Sequence, residues 1–258
     1  MIVDYLGWVR GLLPDAGRVS SGYQLRGAAL SPATDAAPPA QSPAMRHGPI
    51  LLTGFEPFGG EAVNPSWLVA QALHGQRIDG AEVRALCLPC VFGAALEVLE
   101  VALQQQRPRL VLALGQAAGR SELALERVAI NVDDARIADN AGAQPIDVAV
   151  VPGATAAHFS TLPIKAMVAA LWQAGVPAAV SQSAGTFVCN HVFYGLMHAL
   201  RRRRGVRGGF MHVPLLPQQA GAGEPSLDLQ TMVRGVRLAL HTALTTAADL
   251  RLAAGAEH

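Results

Sequence analysis

The sequence predicts one α/β domain: a mostly parallel, twisted sheet with helices on both faces and a small hairpin excursion. Short apolar runs of strand length recur at 49–53 (PILLT), 82–89 (EVRALCLP), 110–114 (LVLAL) and 209–213 (GFMHV). Stretches with apolar residues at helical spacing alternate with these runs, an order that implies βαβ units and a parallel sheet. The 258 residues are 51% hydrophobic and only 15% charged, enough for one large core.

The elements follow in order. Asn64-Pro65-Ser66 starts the first helix, with Asn as N-cap and Pro at the first helical position. The loop before it, 54–60 (GFEPFGG), carries Phe55 and Phe58, either as packing lids or as ligand platforms. A second helix is expected over 92–105, and the strand at 110–114 ends at Gly115. Residues 125–136 (LERVAINVDDAR) predict a small hairpin or edge strand beside the sheet, and 163–175 a helix with Pro in its first turn and Gly at its end. The segment 177–200 begins as a buried strand, turns at Gly185-Thr186, and becomes a helix from about Val188 with Val188, Val192, Leu196 and Leu200 on one face. Residues 226–250 predict a long amphipathic helix covering the sheet.

Composition narrows the function classes. A formal net charge of +1 points to no acidic partner, and the run Arg201–Arg204 closes a predicted helix, where cations suit the dipole, so no nucleic-acid role is expected. No apolar run is long enough to span a membrane. Three cysteines make no disulfide framework and fit a reducing compartment. Residues 1–48 stand apart: 31–43 (SPATDAAPPAQSP) read as a linker or arm, and 49–258 as the catalytic domain.

Chemistry concentrates at Cys189. It falls near the first turn of the predicted helix, where free N–H groups and the dipole favour an anion, so its thiol is expected to ionise easily. A buried structural cysteine is the alternative. His212, at the exit of the last strand, is well placed to meet it, because ligands of open α/β sheets bind beyond the carboxyl ends of strands. Cys87-Leu88-Pro89-Cys90 is a C-x-x-C pair and keeps a thiol oxidoreductase open; a ligand-binding α/β module without catalysis is the third class.

Four longer motifs add a resemblance. Residues 54–67 (GFEPFGGEAVNPSW), 126–140 (ERVAINVDDARIADN), 159–167 (FSTLPIKAM) and 183–198 (SAGTFVCNHVFYGLMH) together resemble the pyroglutamyl peptidase I, or pyrrolidone carboxyl peptidase, family. The resemblance implies a cytoplasmic cysteine exopeptidase, often tetrameric, that removes N-terminal pyroglutamate from peptides through a thioester, with neither metal nor organic cofactor. It implies Cys189 as nucleophile, His212 as base and Glu126 as the acidic member. It implies substrate binding by Phe55, Phe58, Gln116, Arg136, Phe187 and Val188, with the ring read by the loop that carries Phe55 and Phe58, and leaves His191 and His198 to packing. The chain departs from the family pattern at Ala124-Leu125, where Thr-Pro usually precedes the acidic residue, at Ala118 and at His158.

Because the Pro- and Ala-rich segment offers no core, a chain that starts at Met45 is expected to match the full chain in thermal melting and in peptidase activity. A large loss of either in the shortened chain would contradict the division at residue 48.

Overall fold

A computed structural model describes residues 48–255, so the expected extension over 1–48, Met45 included, lies outside the described residues but for Gly48. In chain order the elements are β1 (Ile50–Phe55), α1 (Pro65–Leu73), β2 (Arg77–Ile78), β3 (Ala81–Leu88), α2 (Ala94–Gln106), β4 (Leu110–Gln116) and β5 (Leu123–Glu126). There follow β6 (Val128–Ile130), β7 (Ala157–Phe159), α3 (Ile164–Gln173), β8 (Ala178–Ser181), α4 (Val188–Leu200), β9 (Arg207–Val213) and α5 (Leu229–Thr245). Seven strands form the main sheet in the order β2-β3-β1-β4-β9-β5-β8, and β6 pairs with β7 apart from it. The run β3-β1-β4-β9 is parallel throughout, whereas β5 runs against β9 and β8 follows β5.

The alternation of strand side chains divides the interior in two. Ile50, Leu52, Leu112, Leu114, Leu125 and Met211 face one core with α1, α3 and α5. Leu51, Phe55, Val111, Ala113 and Phe210 face the other, with α2 and α4. Helices therefore cover both faces, as the apolar periodicities predict.

Local chemistry explains the element ends. Asn64 caps α1, its Oδ1 accepting the Ser66 N–H at 3.0 Å, and Pro65 opens the helix. Ser66 Oγ in turn accepts the Phe55 N–H at 3.0 Å, and Asn64 Nδ2 donates to the Glu56 carbonyl at 3.0 Å, so the helix start also clamps the end of β1. At Gly54 a Cβ would lie 2.5 Å from the Ser66 carbonyl oxygen, which limits this approach to glycine.

Four expectations need correction. Phe55 is not a loop residue: it ends β1, is 2% exposed, and belongs to the core, because β1 stays paired with β3 as far as Leu88. Residues 125–136 are not one hairpin, since Leu123–Glu126 is a buried strand of the main sheet and Val128–Ile130 turns away to pair with β7. The strand before α4 is an edge strand, only half-buried, because its one neighbour in the sheet is β5. The last helix stops at Thr245 rather than at 250: Asp249 leaves it to cap α3, its carboxylate accepting the N–H of Lys165 at 3.2 Å and of Ala166 at 2.9 Å. The capped helix follows Pro163, which offers no side-chain acceptor of its own.

The first turn of α4 is tied to the β6 segment by Asn190. Its Oδ1 accepts the Ile130 N–H at 3.0 Å, and its Nδ2 donates to the carbonyls of Ile130 and Val132, both at 2.9 Å. Asn190 is fully buried, so Asn190→Ala strands three backbone groups and is expected to cost about 3 kcal/mol of stability, read as a lower denaturant midpoint at unchanged slope.

Candidate active site

Three side chains converge on the sheet face covered by α2 and α4. On β9, His212 shares its face with Phe210, and on β5, Glu126 shares its face with Ala124; the register sets Ala124 opposite His212 and Glu126 opposite Phe210. Glu126 and His212 are thus diagonal neighbours on one face, and they bond, His212 Nδ1 to Glu126 Oε1 at 2.7 Å. A carboxylate only accepts, so Nδ1 carries the hydrogen and Nε2 remains as the basic nitrogen. Both residues are buried, Glu126 completely.

The thiol arrives from above. Gly115 on β4 lies beside His212 in register, and a Cβ at Gly115 would be 2.7 Å from Cys189 Sγ. Glycine there opens the space that the sulfur fills. Cys189 is the second residue of α4, whose N-cap Phe187 offers no side-chain bond, so the N–H groups of the first turn face the site without a side-chain cap.

The thiol does not ionise easily, contrary to the helix-terminus argument. Burial pushes Cys189 up, Cys90 and Glu126 push it the same way, and Arg120 alone pulls it down. Loss of water around the sulfur is the largest of these effects. Together these hold the thiol above its ordinary value.

His191 has neither ring nitrogen free. Its Nε2 accepts the Gly93 N–H at 2.9 Å and its Nδ1 is 2.7 Å from Asp133 Oδ2, so both nitrogens are committed to holding α4 against the loop before α2. His198 packs by ring contact with Tyr194 and His158. The C-x-x-C pair is equally unsuited to redox work: both thiols are free, Cys87 is raised by burial and then Glu56, and Cys90 is pushed up to about 12 by burial, Glu56 and Asp139.

Beside the thiol lies an aromatic wall. Phe187 meets Phe58 at 6.0 Å between centroids and Phe92 edge-on at 5.4 Å, all three half-buried. Val188 is fully buried beneath them, and Phe55 lies within the same core. Glu56 fixes the Phe58 loop, its Oε1 accepting from Cys90 N at 3.0 Å and from Asn140 Nδ2 at 2.8 Å. Gln116 ends β4 and accepts loosely from Gln219 at 3.4 Å. Arg136 is exposed, on a loop joined to α4 through Asp134 N–H and the Thr186 carbonyl at 2.9 Å. Sequence reasoning missed Arg120, whose Nη1 is 3.5 Å from Glu126 Oε1, and Phe92, neither of which stands in a motif that signals chemistry.

A thiol beside an imidazole bonded to a buried carboxylate, on a mostly parallel α/β sheet, is the arrangement that cysteine-type hydrolases use. The family model of pyroglutamyl peptidase matches residues 48–246. The pyrrolidone-carboxylate peptidase of Cupriavidus taiwanensis is 61% identical over 213 residues, covering 81% of this chain and 99% of that protein. Its counterpart in Enterobacter sp. is 56% identical over 83% of this chain and all of that one. Among solved structures, pyroglutamyl peptidase I of Bacillus amyloliquefaciens superposes with a TM-score of 0.77 at 43% identity, over 79% of this chain and 100% of its own. Pyrrolidone carboxyl peptidase of Thermococcus litoralis gives 0.77 at 34% identity, over 80% and 99%. The chain belongs to the pyroglutamyl peptidase family.

Gly115→Ala tests the packing of the thiol. The added methyl meets Cys189 Sγ and, at 2.8 Å, the Phe210 ring, so it is expected to lower the melting temperature and to slow alkylation of Cys189 by iodoacetamide at least about tenfold. Peptide mapping of the alkylated protein measures the second effect.

Proposed function

We propose that the chain removes N-terminal pyroglutamyl residues from peptides, with Cys189 as nucleophile, His212 as general base and acid, and Glu126 as the group that orients His212. The observation that carries this is His212 Nε2, the ring nitrogen not used in the bond to Glu126, next to a thiol seated over Gly115. His212 takes the proton of Cys189, and the sulfur attacks the pyroglutamyl carbonyl. The protonated imidazole then gives that proton to the leaving amine as the C–N bond breaks, leaving a thioester. Water, deprotonated by His212, cleaves the thioester, and pyroglutamate departs with the thiol restored. Glu126 stabilises the imidazolium in both halves. Uncapped N–H groups of the first turn of α4 suit the developing oxyanion, each worth about 3 kcal/mol when aimed at it.

Pyroglutamate is an uncharged lactam, so recognition calls for flat apolar surfaces with a few polar partners rather than a carboxylate for a terminal ammonium. The wall of Phe58, Phe187 and Phe92 suits that ring, with Phe55 and Val188 behind it and Gln116 and Arg136 as peripheral contacts. The catalytic unit on this proposal is 49–258. No helix among the described residues is long and apolar enough to cross a membrane. Free cysteines suit a cytoplasmic setting, and exposed Phe159 and Trp172 suit burial between copies in a homotetramer.

On a chromogenic pyroglutamyl amide, Cys189→Ala and His212→Ala are each expected to lower kcat/KM by about 10,000-fold or more, Glu126→Gln by less, and Cys87→Ala or Cys90→Ala only slightly. Activity retained in Cys189→Ala would falsify the assignment. Phe58→Ala is expected to raise KM about tenfold while the fold survives, whereas Phe55→Ala also costs about 3 to 5 kcal/mol of stability because that ring is core. The glutaminyl amide, with its ring open and an ammonium to bury, should not turn over; hydrolysis at a comparable rate sinks the lactam pocket.

A further inference from the structure

Glu126 is buried completely, yet its hydrogen bonding is half met. Oε1 accepts from His212 at 2.7 Å, while Oε2 has no hydrogen-bond partner among the described residues. A carboxylate in that position is drawn toward its neutral form unless a cation faces it. A neutral Glu126 would supply no charge to stabilise an imidazolium. The cation comes from the turn between β4 and β5: Arg120 Nη1 lies 3.5 Å from Glu126 Oε1.

We infer that Arg120 is a positioning residue of the proposed triad, one whose guanidinium keeps Glu126 charged and its Oε1 aimed at His212. This inference rests on the triad proposed above. Ser181, at the end of β8, holds the guanidinium from the other side, its Oγ accepting from Nη2 at 3.4 Å while donating to the Ser183 carbonyl at 3.2 Å. The Arg120 side chain is 31% exposed, so solvent weakens its field, but the carboxylate it faces has no solvent of its own.

Other charged groups around β5 face elsewhere. Arg207 on β9 donates to the carbonyls of Ala243 and Thr246, Arg127 to Gln182 and the Ala254 carbonyl, and Lys165 on α3 to the Leu252 carbonyl. From β8 comes only the Ser181 hydroxyl, from β9 His212, and from α4 the Cys189 thiol.

The test is a pH profile of kcat/KM on the pyroglutamyl amide for Arg120→Gln, Arg120→Lys, Glu126→Gln and the double variant Arg120→Gln/Glu126→Gln. Arg120→Gln is expected to lower kcat/KM about tenfold or more at neutral pH and to move the acid limb up, since loss of a cation beside the Glu126–His212 pair favours proton uptake there. Arg120→Lys should recover part of both, and it carries the test if Arg120→Gln fails to fold. In the Glu126→Gln background, where no charge remains to hold, Arg120→Gln should change little. A loss of equal size at every pH, or full additivity in the double variant, overturns the inference. If Glu126→Gln behaves as wild type, the triad itself has failed and Arg120 falls with it. If Glu126→Gln is impaired but Arg120→Gln matches wild type across pH, only the role of Arg120 is lost.

Discussion

At Gly115 a Cβ would sit 2.7 Å from Cys189 Sγ and 2.8 Å from the Phe210 ring, so the helix that carries the thiol can rest on the sheet only where β4 has no side chain. The rest of the site is arranged around that contact. Parallel pairing of β4 with β9 sets His212 beside the glycine, and antiparallel pairing of β5 with β9 brings Glu126 to the same face. One residue of slip in either ladder would turn His212 or Glu126 to the opposite core, where α1, α3 and α5 pack.

The electrostatics follow from burial rather than from the helix terminus. A thiol that loses its water is harder to ionise, and burial is the largest of the effects that raise Cys189. On the proposed mechanism proton removal falls to the imidazole, so the orientation of His212 carries the chemistry there. Of the two buried histidine and carboxylate pairs near the thiol, His191 with Asp133 spends both ring nitrogens on structure, and His212 with Glu126 keeps one free.

The same bonds that hold the thiol also shape the aromatic wall. His191 joins α4 to Gly93 and stacks edge-on with Phe92 at 5.3 Å, while Phe92 meets Phe187 directly before α4. Asn190 fastens the turn between them to the β6 segment, and Glu56 joins the Phe58 loop to Cys90 and Asn140. These loops are thereby tied to one helix start, which sets the aromatic wall next to one sulfur.

Local pattern was enough for the α/β class, for α1 with its Asn64 cap, for α4 from Val188, and for Cys189 and His212 as candidates, because periodicity, caps and strand exits are properties of neighbouring residues. Glu126 was legible only through family resemblance, since a carboxylate in a four-residue strand has no local mark and its partner is 86 positions away. Tertiary structure alone decided that Phe55 is core, that Asp249 leaves α5 and caps α3, that burial raises the Cys189 thiol, and that Arg120 faces Glu126. Each of these depends on sheet register and on how much water is left around a group, and neither quantity is a function of nearby sequence.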